Sequence, residues 1–367
     1  MKKTFSLITT TINFPKLITD YAKDAINNNQ IIEEIIIVGD LKTPLEVKSF
    51  CLNIEKKYKI KCTYLSPKDQ DIFLKKYSSI KKFIPWNCIQ RRNIGLLKFY
   101  ENRSDIAVLI DDDNFLRNNN YFKSHEHVGS TTKIRVIESK TGYWNVCEML
   151  KDTRDIKFYH RGHPLSKRWL SNEHKKIIKN LEGRAVVNAG LWFDDPDVDA
   201  LTRLFYPIEV RKVSKFFKDK SSPSFNNYSP FNSQNTAVLR ELIPAYFLFP
   251  YIGRYDDIWA SYIIKRIANI KKDYITYGNP IVIQNRNIHD YLKDFEQEKF
   301  GLRFNDCFID ILNSVKLEKK DSYQLAYSNL AYFFKKHSKE FLKKHKFDLN
   351  SFDKVVEGMI RWKDCFE

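Results

Sequence analysis

Hydrophobic and polar positions alternate between two periods through the first third of the chain. Short apolar runs that end at charged or glycine residues predict strands, and apolar residues spaced three or four apart predict helices. The predicted strands are residues 4–12, 34–38, 60–65 and 106–110, and the predicted helices are residues 15–28, 44–58 and 87–102. Strands that alternate with helices predict a mostly parallel α/β sheet with helices on both faces.

The middle of the chain is less regular. Apolar runs predict strands at residues 133–137, 184–193 and 280–283, and helical spacing predicts a helix at residues 257–267. Residues 219–235 are rich in Ser, Asn and Pro, which is typical of a loop. Because long loops in compact domains often cover a site, this loop is a candidate lid.

From residue 304 onward the pattern changes to lysine-rich amphipathic helices. We therefore divide the chain into an α/β domain at residues 1–303 and a basic helical extension at residues 304–367. The apolar stripe of the extension contains Leu330, Phe333, Phe334, Phe341 and Leu342. Such a stripe can lie on an anionic membrane surface or pack on its own domain, and the sequence leaves both interpretations open.

Composition restricts the class of partner. The net charge of +17 favours anionic partners such as nucleotides or acidic lipids. The positive charge is spread along the chain, so a non-catalytic polyanion-binding protein is only an alternative and no nucleic-acid partner is expected. The six cysteines show no Cys-x-x-Cys spacing, and no apolar run reaches the roughly 18 residues of a membrane span. We expect a cytoplasmic protein, with peripheral contact at the inner face of the membrane if the extension binds lipid.

The strand at residues 106–110 runs directly into three carboxylates, Asp111, Asp112 and Asp113. Adjacent like charges repel one another unless a cation neutralises them, and ligands bind at the carboxyl ends of strands in open α/β sheets. Carboxylates suit Mg²⁺ and Mn²⁺, and residues 111 and 113 project to one side of an extended backbone. We predict that Asp111 and Asp113 hold a metal that carries a nucleotide diphosphate, with Asp112 on a ribose or a basic side chain. A solvated acidic turn is the alternative.

Polar residues at neighbouring strand ends are candidates for the rest of this site. The nucleoside is predicted to lie against Thr9, Thr10, Thr11 and Asp40. Asp40 could equally cap a turn. The candidates on the helix before the aspartates are Arg91, Arg92 and Asn93. Because adjacent residues do not share a helix face, we expect one arginine to reach the site and the other to be structural.

Two further clusters are candidates for catalysis. Asp256 and Asp257 precede the helix predicted at residues 257–267, so either could deprotonate an acceptor hydroxyl. The alternative is that Asp256 caps the helix and Asp257 favours its dipole. Arg161 and Arg168 belong to a basic loop that either binds an anion or is solvated.

Several stretches together resemble the reversibly glycosylated polypeptides, which are plant UDP-arabinopyranose mutases, and bacterial glycosyltransferase-like relatives. The matching motifs are Arg91-Arg92-Asn93-Ile94-Gly95, Ile110-Asp111-Asp112-Asp113, Arg161-Gly162-x-Pro164-x-Ser166-x-Arg168, Gly190-Leu191-Trp192, Pro196-Asp197-x-Asp199-Ala200 and residues 252–260. The resemblance implies a GT-A glycosyltransferase fold, a UDP-sugar ligand, and Mn²⁺ or Mg²⁺ held by the aspartates as a DXD motif. It also implies reversible self-glycosylation at Arg161, while Arg168 matches the second arginine of the family's loop.

The chain departs from the family pattern in the loop and after the late strand. His163 stands where the family has Tyr, and Lys167 stands where it has an apolar residue. Gln284 takes the place of a family histidine that could ligate the metal, and His289 is the nearest histidine. The resemblance therefore makes His289 a third candidate metal ligand.

These observations lead us to expect a metal-dependent glycosyltransferase. It would move a sugar from a nucleotide-sugar, expected to be a UDP-sugar, to a hydroxyl of a cell-surface glycan or lipid-linked precursor in polysaccharide biosynthesis. The expected catalytic residues are Asp256, Asp257, Arg161 and Arg168. The alternative is a UDP-sugar pyranose/furanose mutase with self-glycosylation at an arginine.

Overall fold

The computed structural model describes residues 2–287, 290–345 and 349–367. A sheet of twelve strands lies at the centre, with helices packed against it. The strands are β1 (Thr4–Thr11), β2 (Ile31–Gly39), β3 (Cys62–Leu65), β4 (Ile106–Asp111), β5 (Asn114–Leu116), β6 (Thr131–Ser139), β7 (Leu150–Asp152), β8 (Lys176–Asp194), β9 (Val210–Val213), β10 (Ser221–Pro223), β11 (Thr236–Leu239) and β12 (Tyr274–Gln284). The α-helices are α1 (Ile18–Asn27), α2 (Val47–Tyr58), α3 (Pro67–Phe73), α4 (Ser78–Lys81), α5 (Arg92–Asn102), α6 (Ala200–Phe205), α7 (Asp256–Lys271), α8 (Tyr291–Ser314), α9 (Tyr323–His345) and α10 (Leu349–Lys363).

The strand order confirms the predicted α/β architecture of a central sheet flanked by helices. The main path runs β3-β2-β1-β4-β11-β8-β6-β10-β12-β5, and β1 to β4 are parallel neighbours, as the alternating pattern predicts. The sheet as a whole is mixed rather than mostly parallel, because β11 lies antiparallel between β4 and β8. The parallel half brings the carboxyl ends of β1 and β4 side by side, with Thr10 opposite Asp111.

Helix α5 packs unusually close to this parallel half. A Cβ added at Gly95 would lie 2.5 Å from Cγ2 of Ile8, so only glycine permits the observed approach of α5 to β1. The close contact places Arg92, the first residue of α5, directly beneath the end of β4.

The segment predicted as a candidate lid is instead a buried part of the sheet. It contains β10, and most residues from 227 to 237 are buried. The amide of Asn235 donates to the carbonyl oxygens of Leu191 and Pro280 at 2.9 and 3.0 Å, which ties β8 to β12. Serine and asparagine side chains serve here as internal hydrogen-bonding groups, and Ser233 and Gln234 line the cavity described below.

The C-terminal helices pack against the rest of the protein. Leu330 and Phe334 are fully buried, Nε1 of Trp362 donates to the carbonyl oxygen of Ile243 at 3.2 Å, and the Trp362 ring stacks on Phe247 at a centroid distance of 5.2 Å. The side chain of Leu342 lies outside the described residues. The predicted division between residues 303 and 304 falls inside α8, and a separate C-terminal unit stays a prediction. The buried stripe favours packing on the protein itself over contact with a membrane.

Within the described ranges, no helix combines the length and the apolar character needed to cross a bilayer.

Candidate active site

A polar cavity of about 620 Å³ lies at the carboxyl end of β4. One wall consists of the three aspartates that follow the strand, and another consists of Arg161 with the first two residues of α7, Asp256 and Asp257. The structure thus brings together groups that are up to 146 positions apart in the sequence, since residue 111 and residue 257 line the same cavity. The predicted aspartate and arginine clusters form one site.

Asp111 is anchored by a fully buried arginine. Nη2 of Arg92 donates to Oδ1 of Asp111 at 2.5 Å and to Oγ1 of Thr10 at 3.2 Å. Nη1 of Arg92 donates to the carbonyl oxygen of Ser233 at 2.5 Å and to its hydroxyl at 2.8 Å. Of Arg91 and Arg92, Arg92 is therefore the one that reaches the aspartates, and its buried guanidinium compensates part of their negative charge.

Asp112 and Asp113 have different partners. Oδ2 of Asp112 accepts a hydrogen bond from Oγ1 of Thr11 at 2.5 Å and another from Nδ2 of Asn13 at 3.2 Å. These two contact partners of Asp112 are neutral side chains rather than basic ones, and its contact with a ribose stays a prediction. Oδ1 of Asp113 accepts from Nε2 of Gln284 at 3.0 Å. Burial, together with the charge of Asp111, raises the pKa of Asp113 to about 7.

The donor set of this wall fits a hard divalent cation that is completed by a ligand. In the described part of the chain, no three His, Cys, Asp or Glu side chains converge on a single point. Mg²⁺ is commonly held by one or two carboxylates plus substrate phosphates, and Asp111 and Asp113 can supply these. Oε1 of Gln284 accepts from Nδ2 of Asn114 at 3.0 Å, which leaves this oxygen one further lone pair. The candidate ligand His289 lies outside the described residues.

Arg161 is clamped between two buried carboxylates. Its Nε and Nη2 donate to Asp197 at 2.9 and 3.0 Å, and its Nη1 and Nη2 donate to Asp257 at 3.1 and 3.3 Å. Nη1 also donates to the carbonyl oxygen of Arg254. Burial alone lowers the pKa of Arg161, but the two carboxylates outweigh it and hold the pKa well above its usual value. The guanidinium is therefore charged and fixed in orientation at the cavity wall.

The two acidic residues of α7 face the site rather than capping the helix. Oδ2 of Asp256 accepts from Nε2 of Gln90 at 2.9 Å, and Oδ2 of Asp257 accepts from the backbone N–H of Ser233 at 2.8 Å. Burial and the charge of Asp257 raise the pKa of Asp256 to about 7. A carboxyl group with such a pKa can exchange a proton near neutral pH, as a general base or acid must.

With this geometry established, the chain can be compared with known proteins. The family model of the reversibly glycosylated polypeptides matches residues 179–367. This chain belongs to that family. UDP-arabinopyranose mutase 3 of Arabidopsis thaliana is 27% identical over 266 residues, which are 70% of this chain and 67% of the relative. The probable UDP-arabinopyranose mutase 4 of the same plant is 24% identical over 291 residues, covering 77% and 73% of the two chains.

One solved structure of similar outline is S. aureus TarS 1-349 in complex with UDP-GlcNAc. It is 11% identical, the match covers 97% of this chain and 79% of that one, and the TM-score is 0.43.

The second arginine of the family's loop lies outside the cavity. Nη2 of Arg168 donates to Oδ2 of Asp199 and to the carbonyl oxygen of His163, and these contacts hold the loop against the start of α6. Nε of Arg168 also donates to the carbonyl oxygen of His163, and a catalytic role of Arg168 stays a prediction.

Arg91 and Asn93 are also structural. Arg91 donates to Gln70 through Nε at 2.7 Å, and its guanidinium lies 3.2 Å from the ring centroid of Trp86. Asn93 exchanges two hydrogen bonds with the backbone of Leu248, at 2.8 and 3.0 Å. Neither residue lines the cavity, and contact of either with a nucleotide-sugar stays a prediction. Burial lowers the pKa of Arg91 to about 10.

The residues predicted to cradle the nucleoside are divided between surface and interior. Thr10 lines the cavity, whereas Thr9 is fully buried and Thr11 is bonded to Asp112. The Asp40 carboxylate accepts from the backbone N–H groups of Leu41 and Cys88 at 2.7 and 3.3 Å. Asp40 thus makes the hydrogen bonds that its turn-forming alternative requires, and its contact with a nucleoside stays a prediction.

Several cavity residues were not predicted from the sequence. Ser233, Gln90 and Arg286 all line the cavity or bind its carboxylates. Ser233 lies in a loop, and Gln90 lies in the short 3₁₀ helix Ile89–Arg91 just before α5; nothing local in the sequence distinguishes either as a site residue. Arg286 follows the strand predicted at residues 280–283, so the rule that ligands bind beyond strand ends could have identified it.

Proposed function

We propose that this chain is a UDP-sugar mutase, which interconverts the pyranose and furanose forms of a nucleotide-linked sugar. The observation that carries the proposal is that Arg161 and the aspartate triplet line a single cavity. An enzyme that only isomerises its ligand needs a site for the diphosphate and a group that reaches the sugar, and no second substrate. The names of the Arabidopsis relatives support the same activity.

The site divides into a diphosphate end and a sugar end. Asp111 and Asp113 would hold a Mn²⁺ or Mg²⁺ ion, which when bound neutralises the charge that develops on the departing diphosphate. Arg92 keeps Asp111 in place through the hydrogen bond between Nη2 and Oδ1. The polar walls near Asp256 and Asp257 then face the sugar hydroxyls.

The chemistry that we propose begins when the bond between C1 and the phosphate oxygen breaks and its electron pair remains on the diphosphate. A guanidinium nitrogen of Arg161 forms a bond to C1 while one of its protons passes to Asp257, which already accepts from Nη1 at 3.1 Å. The C1–O5 bond then opens, O4 closes on C1, and the proton of O4 passes to O5. Return of the diphosphate oxygen to C1 releases Arg161, which recovers its proton from Asp257.

A glycosyltransferase that uses a separate acceptor is the second candidate, and Asp256 is the observation that favours it. Its carboxyl group lines the cavity, has Gln90 as its side-chain donor, and has a pKa of about 7. Such a carboxylate is suited to deprotonating an acceptor hydroxyl. In this version the acceptor is a glycan or lipid-linked precursor, and UDP leaves as a product.

Product analysis without any acceptor tests the two candidates. The chain is incubated with UDP-arabinopyranose or UDP-galactopyranose and a divalent metal, and products are separated chromatographically. The mutase proposal predicts a furanose nucleotide with no release of UDP. Release of free UDP that requires an added glycan, with no ring isomer, would contradict it and favour the transferase.

The loop offers a matched pair of variants for the same assay. Arg161→Lys removes the fork between Asp197 and Asp257 and should abolish isomerisation. Arg168→Lys changes the other loop arginine, which does not line the cavity; lysine keeps the positive charge beside Asp199, so this variant should retain isomerisation. Equal activity in both variants would count against a direct role of Arg161.

A further inference from the structure

One arginine of the cavity is held at one side only. Arg286 lies two residues beyond the end of β12, and its side chain is 9% exposed. Nε donates to Oδ2 of Asp195 at 2.9 Å, while Nη2 is buried and has no hydrogen-bond partner among the described residues. Leaving a buried charged donor unpaired is costly, and a guanidinium has five N–H groups to satisfy. The arrangement therefore indicates that a ligand completes the hydrogen bonding of Arg286.

The position of Arg286 beside the aspartate turn indicates which part of the ligand it contacts. Gln284 pairs in register with Asn114, and the backbone N–H of residue 285 donates to the carbonyl oxygen of Asp113 at 3.1 Å. The chain that carries Arg286 is thus bonded directly to the aspartate turn.

We propose that Arg286 binds the distal phosphate of the nucleoside diphosphate, alongside the cation at Asp111 and Asp113. This inference rests on the proposed function, since it assumes a nucleotide-sugar in the cavity. The planar fork of an arginine matches two phosphate oxygens, and both fork and cation would stabilise the charge that builds up on the departing diphosphate. Carboxylates alone would repel that group.

The chain provides a control for the loss of a buried arginine. Asp195 accepts from Arg286 through Oδ2 and from Arg203 through Oδ1. Arg203 also donates to the carbonyl oxygen of Pro196 at 2.6 Å and does not line the cavity. Arg203→Gln therefore removes a positive charge that binds Asp195, as Arg286→Gln does, but at a position that does not contact the ligand.

The test is a calorimetric comparison of UDP with UMP, which lacks the distal phosphate, with and without Mg²⁺. We expect Arg286→Gln to weaken UDP binding about ten- to hundredfold, the equivalent of one or two charge-assisted hydrogen bonds, and to leave UMP binding nearly unchanged. Arg286→Lys should recover part of the loss, and Arg203→Gln should keep the wild-type ratio of UDP to UMP affinities. Circular dichroism confirms that each variant is folded.

Three results would overturn the proposal. An unchanged ratio of UDP to UMP affinities in Arg286→Gln would exclude contact with the distal phosphate. Weaker binding of UDP-glucuronate than of UDP-glucose in Arg286→Gln, with UDP binding unaltered, would assign the arginine to a sugar carboxylate. Wild-type protein that binds neither UDP nor UMP would remove the proposed function itself, and with it this inference.

Discussion

Replacing Asp197 by asparagine should destabilise the protein strongly, although Asp197 makes no contact with a ligand in our account. Asp197 is fully buried and accepts three hydrogen bonds, two from Arg161 and one from Asn232 at 2.7 Å. Breaking a buried ion pair by removing one partner costs about 3–5 kcal/mol, because a buried charge is left uncompensated. Arg161 keeps its second carboxylate, Asp257, so we expect the lower end, about 3 kcal/mol.

The pH dependence of this effect has a definite sign. Burial raises the pKa of Asp197, but Arg161 outweighs burial and holds it well below its usual range. The contribution of the ionised carboxylate is therefore fully present above the unfolded pKa of about 3.9, and it is lost as the pH falls through the folded value. The difference between wild type and Asp197→Asn should be constant between about pH 5 and 8.

Urea unfolding followed by tryptophan fluorescence measures this free energy. The control is Lys151→Gln, which removes an ion pair to Asp155 in which the two side chains are 50% and 74% exposed. Exposed pairs contribute little, so the control should unfold with the wild type. If Asp197→Asn also unfolded at the wild-type urea concentration, Arg161 would not be clamped as described.

Three further perturbations follow from single contacts. Asp256→Asn should stabilise the protein more at pH 8 than at pH 5. The pKa of the Asp256 carboxyl group is raised to about 7 in the folded protein, so wild type loses stability as the pH rises from the unfolded pKa to this value, and asparagine removes that loss. Thermal unfolding at the two pH values measures the difference. Arg92→Lys should weaken UDP binding about tenfold, because a single ammonium group replaces the guanidinium fork that holds Asp111. Arg91→Lys should leave UDP binding unchanged. Equal UDP affinities of the two variants in calorimetry would refute this prediction. Gly253→Ala should lower stability by more than about 1 kcal/mol, because φ is +64° there and the added Cβ would lie 1.8 Å from the carbonyl oxygen of Gln297; an unchanged thermal midpoint would contradict it.

The sequence was most informative where local pattern and position in the sheet agree. The apolar run before Asp111 is a buried parallel strand, and Thr10 and Asp111 are paired at its end. The rule for strand ends therefore located one wall of the site from pattern alone. Arg161 and Asp257 were candidates from a basic loop and an acidic cluster, but nothing local in a loop and a helix start shows that they meet.

The errors have a common physical origin in tertiary contacts. The sequence does not show which of two adjacent arginines faces the site. The difference appears in the structure, where Arg91 stacks on Trp86 and Arg92 does not. The segment at residues 219–235 has the polar composition of an exposed loop, yet Asn235 uses its side chain to join two strands. In each case a polar side chain is satisfied inside the protein, and sequence composition does not distinguish this from exposure to solvent.

The central claim is that the aspartate wall binds a metal-linked diphosphate. It is tested most directly by calorimetric titration of UDP in Mn²⁺ and in EDTA, on wild type and on Asp113→Ala. An exposed carboxylate changed in the same way, Asp71→Ala, is the control. We predict binding that requires Mn²⁺, is abolished in Asp113→Ala and is retained in Asp71→Ala. UDP binding of equal strength in Mn²⁺ and EDTA, unaffected by Asp113→Ala, would contradict the claim.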